Sequence, residues 1–306
     1  MSTSLDDDAN LRRLAPTEIR ARRRPGAIVL VYLWQLALGL IIATPVHAWA
    51  ESVWGAHPEG DAVLFRPGAR ELLTTIGDIG PALAIATRTS MLLVVASIVL
   101  GQLVLGALLA SLALGRGPAG IAPRPAQMLR AGAAAWVSMM ILLVVAAIGQ
   151  GIIVSVGFFV SGLLNRALVS RLGETPAFVV GAVALAIFAL IACIVGVVFD
   201  VARAAAVRES SLAGSGVSNL LITRRAMSAA FRVARRSLVP AIIAWGWRAV
   251  LAIAVLGPGY AASSVLGGKG GIALVALFTV HQLVVLARTA LRASWLARAT
   301  RLPLSI

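Results

Sequence analysis

His57-Pro58-Glu59-Gly60-Asp61 places an imidazole and two carboxylates at every second position around a turn. Such side chains bind divalent metals, but so local a spacing supplies three ligands at most. The plainer reading is a polar turn kept soluble by its charges. His57, Glu59 and Asp61 are therefore only a weak metal candidate, and no resident metal or cofactor is expected. The second position of chemical interest is Arg248, the one charge in AIIAWGWRAVLAIAVLG, residues 241–257. It lies about eight residues past Pro240, or about 12 Å along a helix. A guanidinium left in hydrocarbon there costs about 2.5–3.5 kcal/mol on insertion scales.

Three roles suit such a residue. It can snorkel toward the surface through local water, anchor a hydrogen-bond hub between helices, or sit on a substrate or ion path. The hub reading is favoured because other polar side chains fall near the same depth. His281 and Gln282 come level with it in the following helix, and Gln35 and Gln102 reach mid-depth in the first two. These groups accept from a guanidinium, and none should face lipid unpaired. The nearest acid is Asp200, at the end of the fourth apolar block, whose engagement would need a helix to shift. The expected site is thus an intramembrane polar hub of Arg248, His281, Gln282, Gln35, Gln102 and Asp200.

Catalytic templates do not appear. No serine, histidine and acid group at matching depths, as an intramembrane hydrolase requires. There is no HExxH pair, no phosphate-binding glycine loop and no pair of intramembrane carboxylates. The expected protein is not an enzyme.

The elements that must position these residues follow from composition. The chain has 306 residues, 59% of them hydrophobic and 13% charged. Soluble domains are nearer half apolar and a quarter charged. Six blocks are long enough to cross about 30 Å of hydrocarbon, at about 27–46, 91–114, 133–160, 177–199, 240–258 and 272–290. The expected fold is an all-α polytopic membrane helix bundle. An Arg-rich segment 1–26 precedes the 27–290 domain, a loop 47–90 lies outside, and a tail 291–306 follows. Ala48-Trp49-Ala50 resembles a signal cleavage site, but the apolar core before it is longer than a signal peptide's, so the first span is read as retained.

The basic residues set direction. Twenty fall in the N-terminal segment, the second and fourth loops and the C-terminal end. Six (Arg66, Arg70, Arg88, Arg166, Arg171 and Lys269) fall on the opposite side. That imbalance predicts both termini in the cytoplasm, and the excess of Arg over a single Lys, with abundant Ala and Gly, suggests a GC-rich bacterial genome and hence a bacterial inner membrane. The net charge of +15 therefore reports orientation rather than nucleic-acid binding, because the cations sit between apolar blocks. Cys193 lies within an apolar run and reads as inert packing.

Helices in lipid associate through small residues. Ala147, Gly151 and Ser155 form such a stripe in the third span, with Gly106 and Ala110 in the second and Ala192 and Gly196 in the fourth. In the fourth loop a basic amphipathic helix is expected at about 219–238. Leu220, Met227, Phe231, Ala234 and Leu238 share one face, and Arg224, Arg225, Arg232, Arg235 and Arg236 the adjacent one. It should lie on the inner leaflet, its arginines over anionic lipid headgroups, with docking to a cytoplasmic or envelope protein as the alternative.

AHPEGDAVLFRPGARELL after the first span and DVARAAAVRES after the fourth resemble uncharacterised six-span bacterial integral membrane proteins, in which a D-x-A-R stretch opens a long cytoplasmic loop. The resemblance implies a common helical fold and carries no activity. Leu238-Val239-Pro240 also echoes the coupling loop of binding-protein-dependent permeases, without their glutamate and glycine at the right distances. The function expected is a non-catalytic scaffold, assembly or regulatory subunit, with a transporter or channel subunit as the alternative. The bilayer and its anionic lipids are the expected partners.

Overall fold

The computed structural model describes residue 21 and residues 24–54, 80–113, 124–212, 217–267 and 269–304. Every long element among them is helical: α1 Pro25–Trp54, α2 Gly80–Ala113, α3 Pro125–Leu172, α4 Glu174–Leu212, α5 Asn219–Ala254, α6 Leu256–Leu266 and α7 Ile272–Arg301, followed by a 3-10 turn. Six of these stretches, with α5 and α6 taken together, are long and apolar enough to cross a membrane. The fold is all-α with six membrane-type helices, as the apolar blocks predict. Met91, Leu92, Phe158, Phe159 and Phe178 are all exposed. Water would penalise so much apolar surface, whereas hydrocarbon does not.

The helices outrun the blocks that predict them, because apolarity marks only the part matched to hydrocarbon. α3 spans 48 residues, about 72 Å at the usual rise. It starts at Pro125, which has no N–H to satisfy, and the Gln127 side chain accepts from the Arg124 N–H at 3.0 Å. It stops at Gly173, whose φ of 83° lies in the region that favours glycine. The Gly173 N–H donates to the Val169 carbonyl, and Glu174 opens α4 with an acid in its first turn.

The chain forms two compact units. One holds residues 106–247 and 294–306, the other 24–105 and 248–293. In the first, the core is small and tightly fitted: Ala107, Leu109 and Leu112 of α2, Ala135, Met139 and Leu142 of α3, Val197, Val201 and Ala206 of α4, and Trp295, Leu296, Ala297 and Ala299 of α7. Residues 291–301, expected as a tail, are the packed end of α7. A Cβ on Gly106 would meet the Gly132 Cα at 3.0 Å, so α2 and α3 touch nearly backbone to backbone. Ala110 and Ala192 are buried, and Gly196 faces the Gln150 amide. The stripe expected in α3 is corrected. Ala147, Gly151 and Ser155 are exposed, and nothing lies within 4 Å of a Cβ on Gly151. The packing face runs instead through Met139, Leu142, Ala146, Gln150 and Gly157, with Gly157 against Phe188 of α4. Cys193 is exposed rather than packed.

In the second unit the cross-links are polar. Ser90 of α2 donates to the Ile42 carbonyl of α1. Tyr32 donates to Gln282 and Thr289 to Gln35, joining α1 to α7 at 3.1 and 2.7 Å. These two bonds lie three residues apart on α1 and seven apart on α7.

Candidate functional site

Asp200 is buried near the middle of α4, 3% exposed. Its Oδ1 takes the Arg203 guanidinium at 3.2 Å, one helical turn on, and its Oδ2 takes the Trp295 indole N–H at 2.8 Å. Trp295 is itself 1% exposed. A carboxylate accepts readily from both a guanidinium and an indole. The cluster ties α4 to α7 inside one unit, with the packed alanines of both helices around it. Arg203 is readable from the i, i+3 spacing of D-V-A-R. Trp295 is not, because nothing local to either segment announces a contact across 95 residues.

The other members of the expected hub have partners of their own. His281 sets its Nε2 3.1 Å from the Ser263 hydroxyl and 3.3 Å from the Gly259 carbonyl. Ser263 in turn donates to that carbonyl at 3.0 Å. An Nε2–H tautomer fits this arrangement, since the carbonyl can only accept. The contact lies just past the junction of α5 and α6, where Val255 keeps helical dihedrals and its N–H donates to the Leu251 carbonyl. Gly259 lies buried there, with His281 and Val284 within 4 Å of where its Cβ would be. Gln282 accepts from Tyr32, and Gln35 from Thr289. Gln102 is 8% exposed, its amide nitrogen 3.4 Å from the Ile98 carbonyl and its Oε1 without a hydrogen-bond partner. Arg248 is half-buried and engaged in its surroundings. The polar residues thus form local pairs: Asp200 with Arg203 and Trp295, His281 with Ser263, Gln282 with Tyr32, and Gln35 with Thr289.

His57, Glu59 and Asp61 lie outside the described residues. Among the described residues, no three of His, Cys, Asp and Glu come close enough to hold a metal ion.

The basic helix forms as the start of α5, with its faces differently used. Ser218 opens it, its hydroxyl accepting from the Leu221 N–H. Ser138 of α3, fully buried, donates to the Asn219 carbonyl at 3.1 Å. Ile222, Thr223, Ala226, Ala230 and Val233 are the buried face. Leu220 and Phe231, expected on the apolar face of a helix lying on the inner leaflet, are 71% and 56% exposed. The small residues pack because only they let the helix approach α3 and its neighbours closely. Arg224, Arg225, Arg232, Arg235 and Arg236 are all exposed, with Arg232 donating to Ser228. The helix breaks at Ser237 (φ −142°, ψ 25°), three residues before Pro240, whose ring clashes with the carbonyl four residues back.

Comparison with protein-family models, with curated proteins and with solved structures returned no match to this chain.

Proposed function

We propose that this chain is a multi-pass protein of a bacterial inner membrane that acts without catalysis, as a scaffold, assembly or regulatory subunit for a cytoplasmic or envelope protein. One observation carries the reading: its polar side chains, Asp200 buried and the others mostly half-buried, serve as fasteners between helices. Asp200 holds Trp295, Thr289 holds Gln35, Tyr32 holds Gln282, and His281 holds Ser263 and the Gly259 carbonyl. Groups already bonded to one another favour a fixed arrangement over turnover. Orientation with both termini inside rests on the cation imbalance.

The alternative, a membrane subunit of a transporter or channel, draws on Gln102, which keeps a buried Oε1 without a hydrogen-bond partner. Unmet polar atoms inside a membrane are common where substrates or ions pass. Purification in mild detergent, followed by reconstitution, tests both. A stable co-purifying envelope or cytoplasmic protein with no solute flux in liposomes supports the scaffold. Flux that depends on Gln102 or Arg248, or a co-purifying ATPase, overturns it in favour of transport.

A further inference from the structure

We infer that residues 219–236 form a docking face for anionic phospholipid headgroups, built as a fixed two-tone surface in the plane of the membrane. The inference rests on the multi-pass membrane reading and adds to it a partner of defined chemistry. Three sectors follow from about 100° of rotation per residue. One is buried, through Ile222, Ala226, Ala230 and Val233. The second is apolar yet exposed, through Leu220 and Phe231. The third carries Arg225, Arg232 and Arg236 in one row, and Arg224 with Arg235 in a second row bordering the apolar sector. The sequence of α5 itself contains no acidic residue.

The position of this segment argues that it lies flat. Its start is held by Ser138, which sits inside the apolar stretch of α3. Its other end reaches Pro240, where the next apolar stretch begins. With both ends level with membrane-matched sequence, about 27 Å of helix runs along the membrane face rather than away from it. The packed small-residue face stops the helix rolling, so Leu220 and Phe231 point toward acyl chains while the arginines meet phosphates. A guanidinium binds phosphate oxygens in fork geometry, and each arginine near an anionic surface is worth about fivefold in binding. An acidic protein could use the arginines, but it would leave the exposed Leu220 and Phe231 sector unexplained.

The test uses the full chain in nanodiscs of phosphatidylcholine with or without phosphatidylglycerol. Native mass spectrometry should show phosphatidylglycerol retained several-fold over phosphatidylcholine. Retention should fall sharply in Arg225→Gln/Arg232→Gln/Arg236→Gln and persist in Arg166→Gln/Arg171→Gln, which removes exposed arginines elsewhere. Inorganic phosphate should not displace the lipid. An environment-sensitive label at Phe231→Cys, in a Cys193→Ser background, should emit as from an apolar medium. Equal retention by all variants, displacement by inorganic phosphate or water-like emission at position 231 would each overturn the inference. Failure of the scaffold reading in the co-purification experiment would leave these lipid results unchanged.

Discussion

At the scale of single residues, Asp200 bears the largest electrostatic responsibility. Removing it takes the carboxylate from the Arg203 guanidinium and the acceptor from the Trp295 indole N–H in a tightly packed interior. Losing one partner of a buried pair is far costlier than never having the pair, because the other charge stays desolvated. Asp200→Ala should therefore lower stability by about 3 kcal/mol. Trp295→Phe, which keeps most of the apolar volume, should cost about 1.5–3 kcal/mol through the lost bond to a charged acceptor. Denaturant unfolding in detergent measures both. A double variant less destabilised than the sum of the singles would report the coupling. Gln102 predicts the opposite sign. Its Oε1 is buried without a hydrogen-bond partner, so Gln102→Leu removes a desolvated acceptor and should keep or raise the midpoint, by about 1–3 kcal/mol at most. A marked loss of stability would mean that this carbonyl is engaged in the membrane.

At the scale of elements, glycines with the same sequence signature do different work. A Cβ on Gly106 would stand 3.0 Å from the Gly132 backbone, whereas Gly151 has open space around it. Gly106→Val should force α2 from α3 and cost about 1–3 kcal/mol through overpacking. Gly151→Ala should be neutral or slightly stabilising, since alanine is about 1 kcal/mol the better helix former. Thermal unfolding of the two variants side by side separates them. The pair also shows what the sequence could and could not disclose. Six helices were legible because hydrocarbon demands long apolar runs, and that demand is local. Which face of each helix meets a neighbour was not, because alanine and glycine are spread around the whole circumference of these helices. The basic segment repeats the point. Its arginine face follows from spacing alone. Burial of Ala226 and Ala230 on a further face depends on how near the neighbouring helices approach. The polar site was half legible for the same reason: mid-depth glutamines and a histidine stand out, but Tyr32, Thr289, Ser263 and Trp295 are ordinary until the fold brings them in.

At the scale of the whole molecule, the remaining question is direction across the bilayer, and cation counting bears on it. The excess of arginine in the N-terminal segment, the fourth loop and the C-terminal end predicts that these three share one side. Reporter fusions at residues 26, 215 and 304 should then report the cytoplasm, and fusions at 60, 173 and 269 the opposite compartment. Even numbers of crossings separate the first three, so each agreement checks the helices between them. If residue 26 reported the side opposite to residue 215, an odd number of crossings would lie between them, and one of the first four helices would enter the membrane without traversing it.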